Sequence, residues 1–361
     1  MRKLELRIGQ EERTCPILIN TDAKEALAIA KSLKPSKIAI VFPKSMEPIA
    51  NRLAGENAEE IVKILCTDGE KTKSLATVEQ LYLQFMQYGL DRHSVVIIVG
   101  GGTVGDTVAF ACSTYMRGIR FILTPTTLLA MADSAIGGKN GVNFNGKNII
   151  GTFNQPEAVV IDLKTLSSLP EREIRNGLAE ILKVGLIGNA SLVEEIRNNS
   201  EKIHQLDGEI VESCLAKAIA VKIRIVEGDE KEDLHYLSDK SRMLLNFGHT
   251  VGHALEKLTN HNITHGDAIA IGMAAETKIC EMSGVCREGL TREIETLLDV
   301  CKLPSKIPPI SLSAIMEEMK KDKKADGGKI RIAGIREIGQ GTVVGNLDGL
   351  AVIAALEECL T

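Results

Sequence analysis

Four of the seven histidines in this chain fall within seventeen residues: His249, His253, His261 and His265. His249 and His253 stand four apart in R-M-L-L-N-F-G-H-T-V-G-H-A-L-E, a segment of helical character, so both project from one face. Asn246 and Arg242, three and four residues further back in turn, extend that stripe if the helix starts so early. Gly248 and Gly252 repeat the spacing. Each weakens a helix by about 1 kcal/mol, so the pair signals close approach of a ligand or of another backbone. Two imidazoles at i and i+4, a third sixteen residues after the first and an acidic group from elsewhere would bind a borderline divalent metal, zinc before others. An isolated H-x3-H is more often a surface or core pair. Here the flanking Arg, Asn and Gly and the second cluster T-H-G-D favour the metal. His261, in T-N-H-N, reads as a surface residue.

The acidic group is sought in E-R-E-I-R-N-G-L-A-E-I-L-K, where Glu180 and Lys183 lie one turn apart. A surface pair there would contribute only about 0.3–0.5 kcal/mol. Apolar residues surround the two, however, so the helix should be buried, and a buried carboxylate needs a charge partner. A metal also held by His249 and His265 would supply it. A second chemical stretch is G-G-G-T-V-G-D. Gly100, Gly102 and Gly105 satisfy G-x-G-x-x-G after an apolar strand and before a helix, an arrangement that lets backbone amides approach a pyrophosphate. Asp106 follows directly, and the next strand ends in T-P-T-T with no acidic residue for a ribose. Asp68-Gly69-Glu70 with Lys73 is the other acidic loop at a strand end and could take the ribose hydroxyls. A third stretch, M-A-D-S-A-I-G-G-K-N-G-V-N-F-N-G-K-N, sets Asp133, Lys139, Asn143, Lys147 and Asn148 on a glycine-rich frame. Ile136, Val142 and Phe144 threaded through it argue for a binding segment rather than a free loop.

These groups must be positioned by two different architectures. Residues up to about 169 alternate apolar strands with helices (Lys24–Leu33, Leu75–Tyr88), and S-V-V-I-I-V before the glycine loop is a strand covered on both faces. The expectation is an α/β domain over 1–170 with a parallel sheet. From Pro170 the pattern turns helical, including Leu244–Leu258 and Ala268–Met282, with late strands near 329–345. A mainly helical domain is expected over 171–361. At 361 residues two cores are affordable, and 44% hydrophobic with 25% charged residues fits a soluble protein. A net charge of −5 and 3% aromatics with no Trp argue against nucleic acid and membrane surfaces. No apolar run spans a bilayer and no signal segment opens the chain, so a cytoplasmic location is expected. The eight cysteines show no C-x-x-C pair and read as reduced thiols.

Taken in order, G-G-G-T-V-G-D, D-S-A-I-G-G-K-N-G-V-N, L-P-E-R-E-I-R-N-G-L-A-E-I-L-K, R-M-L-L-N-F-G-H-T-V-G-H-A-L-E and H-G-D-A-I-A-I-G-M resemble the motifs of the 3-dehydroquinate synthases, over about residues 68–330. The resemblance implies an NAD-binding α/β domain, a helical C-terminal domain, a homodimer, and one divalent metal between domains, zinc with cobalt as the alternative. It makes Glu180, His249 and His265 the metal ligands and His253 the catalytic base. Asp133, Lys139, Asn148, Lys183, Lys222, Arg242 and Asn246 would line the substrate pocket. Arg117 would reach the neighbouring subunit's site, and Lys324, in preference to Lys323, would close it. NAD would contact Asp68, Gly69, Glu70, Lys73, Gly101, Gly102, Thr103, Val104, Gly105, Asp106, Thr126, Thr127, Lys139, Lys147, Thr165 and Ser168. Departures from the pattern are Ala135, Asn140 and Val184, and the missing acid at Pro43-Lys44. The implied reaction is conversion of 3-deoxy-D-arabino-heptulosonate 7-phosphate, a small sugar phosphate, to 3-dehydroquinate and phosphate. It runs by transient oxidation, elimination, reduction and aldol closure. Two rivals are a sister sugar phosphate cyclase and a metal-dependent polyol or glycerol-phosphate dehydrogenase. Lys222 with Arg242 and Asn246 discriminates, since a substrate without a carboxylate would leave those charges unpaired.

Overall fold

The computed structural model describes residues 1–8, 13–55, 59–233, 238, 241–260, 262–321 and 330–360. The chain divides into two compact units, Met1–Leu169 and Pro170–Thr361.

The first unit carries strands β1 (Arg2–Ile8), β2 (Arg13–Ile19), β3 (Ile38–Pro43), β4 (Val62–Cys66), β5 (Val95–Gly100), β6 (Arg120–Pro125), β7 (Lys139–Val142), β8 (Ile150–Phe153) and β9 (Ala158–Ile161). Its helices are α1 (Lys24–Ser32), α2 (Glu47–Ala54), α3 (Leu75–Gln87) and α4 (Gly102–Thr114). Seven strands form one sheet in the order β1-β2-β9-β6-β5-β3-β4. Six of them run parallel, as the β-α alternation demands. The exception is β1, which pairs antiparallel with β2 because a short connection joins them. Every residue of β5 is buried, as a strand sheathed on both faces should be. Ile40, Val95, Ile97, Ile122 and Val160 meet Leu27 and Leu53 of α1 and α2 in one cluster. Next to β5 the order changes direction: β3 and β4, earlier in the chain, lie on one side, and β6 and then β9, later in the chain, lie on the other, with β2 and β1 beyond them. The carboxyl end of β5 is therefore a switch point of strand order, where α/β sheets open a crevice for ligands.

The segment read as a polar binding stretch is ordered. A π-helical turn over Ala130–Ser134 leads into the antiparallel hairpin β7–β8. Its glycines hid these strands from a pattern reading. Gly141 and Gly151 face each other so closely that a Cβ on either would lie 2.6 Å from the opposite backbone.

The second unit holds α5 (Glu171–Gly188), α6 (Ala190–His204), α7 (Gly208–Gly228), α8 (His249–Leu258), α9 (His265–Met282), α10 (Leu290–Val300), α11 (Leu312–Lys321), the hairpin β10 (Ile330–Glu337) and β11 (Gln340–Leu347), and α12 (Gly349–Glu357). The helix expected to start at Leu244 starts five residues later. Arg242–Asn246 form a separate 3-10 turn, and Gly248, at φ 78°, breaks the chain direction before α8. Among the described residues no helix is long and apolar enough to cross a membrane. All eight cysteines are free.

Candidate metal centre and glycine loop

Three elements of the second unit converge on one carboxylate. Glu180 sits mid-way along α5, a helix opened by Glu171 and Glu173 at its positive end, and is only 1% exposed. His249 and His265 are the first residues of α8 and α9. The start of α9 is fixed by Thr264, whose hydroxyl accepts from the Asp267 amide, and by Asn176 of α5, whose Oδ1 accepts from the Gly266 amide at 2.9 Å. A Cβ at Gly266 would stand 2.5 Å from the Asn176 Cα, so α5 and α9 touch at this point. The close approach signalled by Gly248 and Gly252 is made by α9. A Cβ on Gly272 would meet the Gly248 carbonyl at 1.9 Å, and one on Gly252 would meet Ile269 Cδ1 at 2.8 Å.

The result is a compact donor set. His249 Nε2 and His265 Nε2 lie 3.5 and 3.3 Å from Glu180 Oε1. One ligand atom from each of Glu180, His249 and His265 can be chosen with all three within 4.8 Å of one another. Neither Glu180 oxygen receives a hydrogen bond of ordinary geometry among the described residues, although Lys183 Nζ approaches Oε2 to 2.5 Å. One carboxylate and two imidazoles with an open fourth position is the ligand pattern of catalytic zinc. His249 Nδ1 lies 3.1 Å from the Phe247 carbonyl, which can only accept. Nδ1 therefore carries the proton, and the Nε2 lone pair faces Glu180.

Electrostatics separate the two imidazoles. Burial, seconded by the Lys183 ammonium, pushes His249 down to about 3. Burial also opposes charging His265, but Glu180 and Glu256 outweigh it and raise that ring to about 9. Burial works against the Glu180 anion, yet Lys183 first and then His249 and His265 hold it well below the usual carboxylate range. His253 meets His249 edge-on, with ring centroids 5.1 Å apart, and its ring centroid lies 6.4 Å from that of His265. Lys222 is buried on α7, and the Asp229 cap of that helix accepts the Arg242 amide at 2.9 Å. Arg242 is 1% exposed. Asn246, on the same 3-10 turn, is half-buried, so Arg242 and Asn246 stand on their own turn and not on a continuous helical stripe with His249. Val184 is buried in α5.

In the first unit, α4 starts at Gly102 directly after β5. The glycines there are needed by the chain's own packing at two points: a Cβ would lie 2.8 Å from Val104 at Gly100 and 2.8 Å from Ser134 Oγ at Gly102. Gly105 meets only ordinary contact, Leu123 Cδ2 at 3.9 Å. Thr103 and Val104 complete the first turn, and Thr126 and Thr127 follow β6, with the Thr126 amide donating to the Gly100 carbonyl. Lys73 gathers the polar groups. Its Nζ is 2.7 Å from Asp106 Oδ2 and 2.6 Å from Asn148 Oδ1. Asn143 Nδ2 donates to Glu70 Oε1 at 2.6 Å. Asp68 Oδ2 accepts from Ser45 just beyond β3 at 2.9 Å. The strand end at Pro43-Lys44, which lacks an acid of its own, is thus served by a carboxylate from beyond β4, and Gly69 at φ 77° makes that turn possible.

Asp133 lies in the π-turn, Lys139 and Lys147 are exposed on the β7–β8 hairpin, and Asn140 stitches that hairpin by donating to the Gly138 and Asn154 carbonyls. Ala135 is buried beside the glycine loop. Thr165 is buried, its hydroxyl donating to the Asp162 carbonyl, and Ser168 is exposed. Arg117 is exposed on a loop where Met116, Arg117 and Gly118 all have positive φ. Lys323, Lys324 and His261 lie outside the described residues. Two buried acids escaped the sequence reading. Glu256 places Oε2 3.5 Å from His265 Nδ1, and Glu276 of α9 accepts the Gly248 and Val251 amides. An acid within the apolar run of α9 was the available signal for Glu276.

The family models described as 3-dehydroquinate synthase N-terminal and C-terminal match residues 63–176 and 177–325. A 3-dehydroquinate synthase of Ruminiclostridium cellulolyticum is 38% identical over 341 residues, covering 92% of this chain and 93% of its own. That of Halorhodospira halophila is 38% identical over 364 residues, covering both chains in full. Among solved structures, a 2-epi-5-epi-valiolone synthase from Streptomyces hygroscopicus subsp. jinggangensis, with NAD+ and Zn2+ bound, superposes with a TM-score of 0.85 at 25% identity over 98% of both chains. The chain belongs to the 3-dehydroquinate synthase family.

Proposed function

We propose that the chain converts 3-deoxy-D-arabino-heptulosonate 7-phosphate to 3-dehydroquinate and phosphate, as a lyase of aromatic amino acid biosynthesis. In this reading residues 1–170 bind NAD, and 171–361 bind one divalent metal and most of the substrate. The observation that carries it is the Glu180–His249–His265 donor set, built into a chain that matches the family along most of its length. When bound, NAD supplies a reversible hydride acceptor and the metal a Lewis acid for the hydroxyl being oxidised.

The chain's own residues do the rest. Lys73, already paired with Asp106, steadies a carboxylate beside the loop that would receive the pyrophosphate. Asp68, held by Ser45 and its own turn, meets the ribose hydroxyls. Glu70, Gly101, Thr126, Thr127, Lys147, Thr165 and Ser168 complete the cofactor contacts. Arg242 grips the substrate carboxylate through its planar fork, with Asn246 beside it. Asp133, Lys139, Asn148, Lys183 and Lys222 line the substrate pocket, where the lysines neutralise the phosphate and the polar groups orient the hydroxyls. His253 moves the proton at the phosphate-bearing end. Arg117, exposed and held in a strained turn, serves the partner's site in a homodimer, and Lys324 closes the pocket. A cytoplasmic location belongs to the same proposal, and the net charge of −5 disfavours attraction to nucleic acid or an anionic membrane surface.

Incubation with the heptulosonate phosphate and a catalytic amount of NAD tests this reading. Phosphate release over many turnovers, without NADH accumulation, is expected. Stoichiometric NADH would indicate a dehydrogenase, and preference for a sugar phosphate lacking the carboxylate would indicate a sister cyclase.

A further inference from the structure

The first turn of α8 presents a problem that its own sequence does not solve. The opening amides of a helix need acceptors, and the residue before the helix normally offers a side-chain oxygen. Here that residue is Gly248, and it must be glycine. Its φ is +78°, and a Cβ would stand 2.7 Å from the Ile269 carbonyl. A carboxylate from the neighbouring helix caps it instead. Glu276 is fully buried on α9. Its Oε2 accepts from the Gly248 amide at 2.7 Å and its Oε1 from the Val251 amide at 3.0 Å. These two amides bracket His249, so one side chain fixes the backbone that carries an imidazole facing Glu180. The favour is returned. Glu256, buried on α8, brings Oε2 to 3.5 Å from Nδ1 of His265 at the start of α9, with the opposite ring nitrogen toward Glu180.

We infer that Glu256 and Glu276 are positioning residues exchanged between α8 and α9, each holding the imidazole, or the backbone beneath it, that the other helix contributes to the cation site. This rests on the proposed metal assignment of Glu180, His249 and His265. Partners of ligand imidazoles fix ring orientation and raise ligand basicity. A carboxylate at a helix N-terminus also suits the local dipole. The exchange makes the distance between the two imidazoles a property of the α8–α9 contact, which the Gly248–Gly272 approach already sets.

The test uses the full chain, stripped of metal, and zinc alone. Zinc affinity is measured against a competing chelator for the parent, Glu256→Gln, Glu276→Gln and His249→Ala. Secondary structure and melting of the metal-free forms are followed in parallel. Each glutamine variant should keep the helical signal of the metal-free parent and, at pH 10 where no imidazole proton competes with the cation, bind zinc about 10–100-fold more weakly. Cobalt-loaded samples should also show altered d–d absorption, which a purely structural role would leave alone. Glu256 caps no helix start, so Glu256→Gln decides the matter even if Glu276→Gln folds poorly. Parent-like zinc affinity and cobalt spectrum in the folded variants overturn the inference and leave the metal assignment standing. A parent that binds no more zinc than His249→Ala overturns the assignment, and the inference with it.

Discussion

Metal uptake by this chain should release a proton, and the donor can be named. In the metal-free protein His265 is raised to about 9, because the Glu180 and Glu256 carboxylates more than offset its burial. Its Nε2 must shed that proton to ligate. His249, pushed down to about 3, is already neutral at physiological pH, and Glu180 is already ionised. One proton, from His265, therefore competes with each cation. The competition weakens apparent affinity by a factor of ten for each pH unit below about 9, or roughly 100-fold at pH 7. Calorimetric titration with zinc at pH 7.5, in buffers of different ionisation enthalpy, should report close to one proton released per site. Chelator competition from pH 7 to 10 should give a log–log slope near one that flattens above about 9. In Glu256→Gln the flattening should move to lower pH, since one of the two carboxylates raising the ring is gone. Affinity independent of pH between 7 and 9, or heat independent of the buffer, would refute the reasoning.

Other outcomes follow from the same geometry. His249→Ala should abolish both zinc content and turnover while the first unit keeps its NAD affinity, checked by metal analysis and nucleotide titration. Gly272→Ala places a Cβ 1.9 Å from the Gly248 carbonyl. It should cost about 3 kcal/mol of stability, a fall of roughly 6–12 °C in melting temperature, and weaken zinc binding as α8 and α9 separate. Lys73→Met leaves the Asp106 carboxylate beside the glycine loop without its 2.7 Å partner. It should raise the KM for NAD by about tenfold or more, at a charge-assisted bond's typical contribution. Thermal melting of the metal-free chain should peak near neutrality. The His265 contribution, from a pKa raised above its unfolded value of 6.5, is complete below that value and lost as pH rises through about 9. The His249 contribution, from a depressed pKa, is complete above 6.5 and lost as pH falls toward about 3. A melting optimum well outside the neutral range would contradict these assignments.

Much of this was legible because chemistry-bearing residues announce themselves against apolar surroundings. Glu180 in an apolar helix, H-x3-H with T-H-G-D, and a glycine loop ending a wholly apolar strand each left a local signal. What stayed hidden depends on partners distant in sequence. The helix stripe from Arg242 to His249 looked continuous because spacing alone does not reveal that Gly248 takes φ 78°. The glycine spacing announced a close approach without naming the backbone, which is α9. Glu256 and Glu276 look like solvated or misplaced acids until α8 and α9 are laid against each other. The β7–β8 hairpin was concealed by the glycines that let its strands meet, and the approach of Asp68 to Ser45 just beyond β3 needed the sheet order β5-β3-β4.

X-ray absorption at the zinc edge of the loaded full chain tests the central claim most directly. Two imidazole nitrogens at about 2.0–2.1 Å and carboxylate oxygen at about 2.0–2.2 Å are expected, with no sulfur in the shell, and neither His249→Ala nor His265→Ala should retain that shell. Sulfur ligation, or a first shell unchanged by both His249→Ala and His265→Ala, would contradict it.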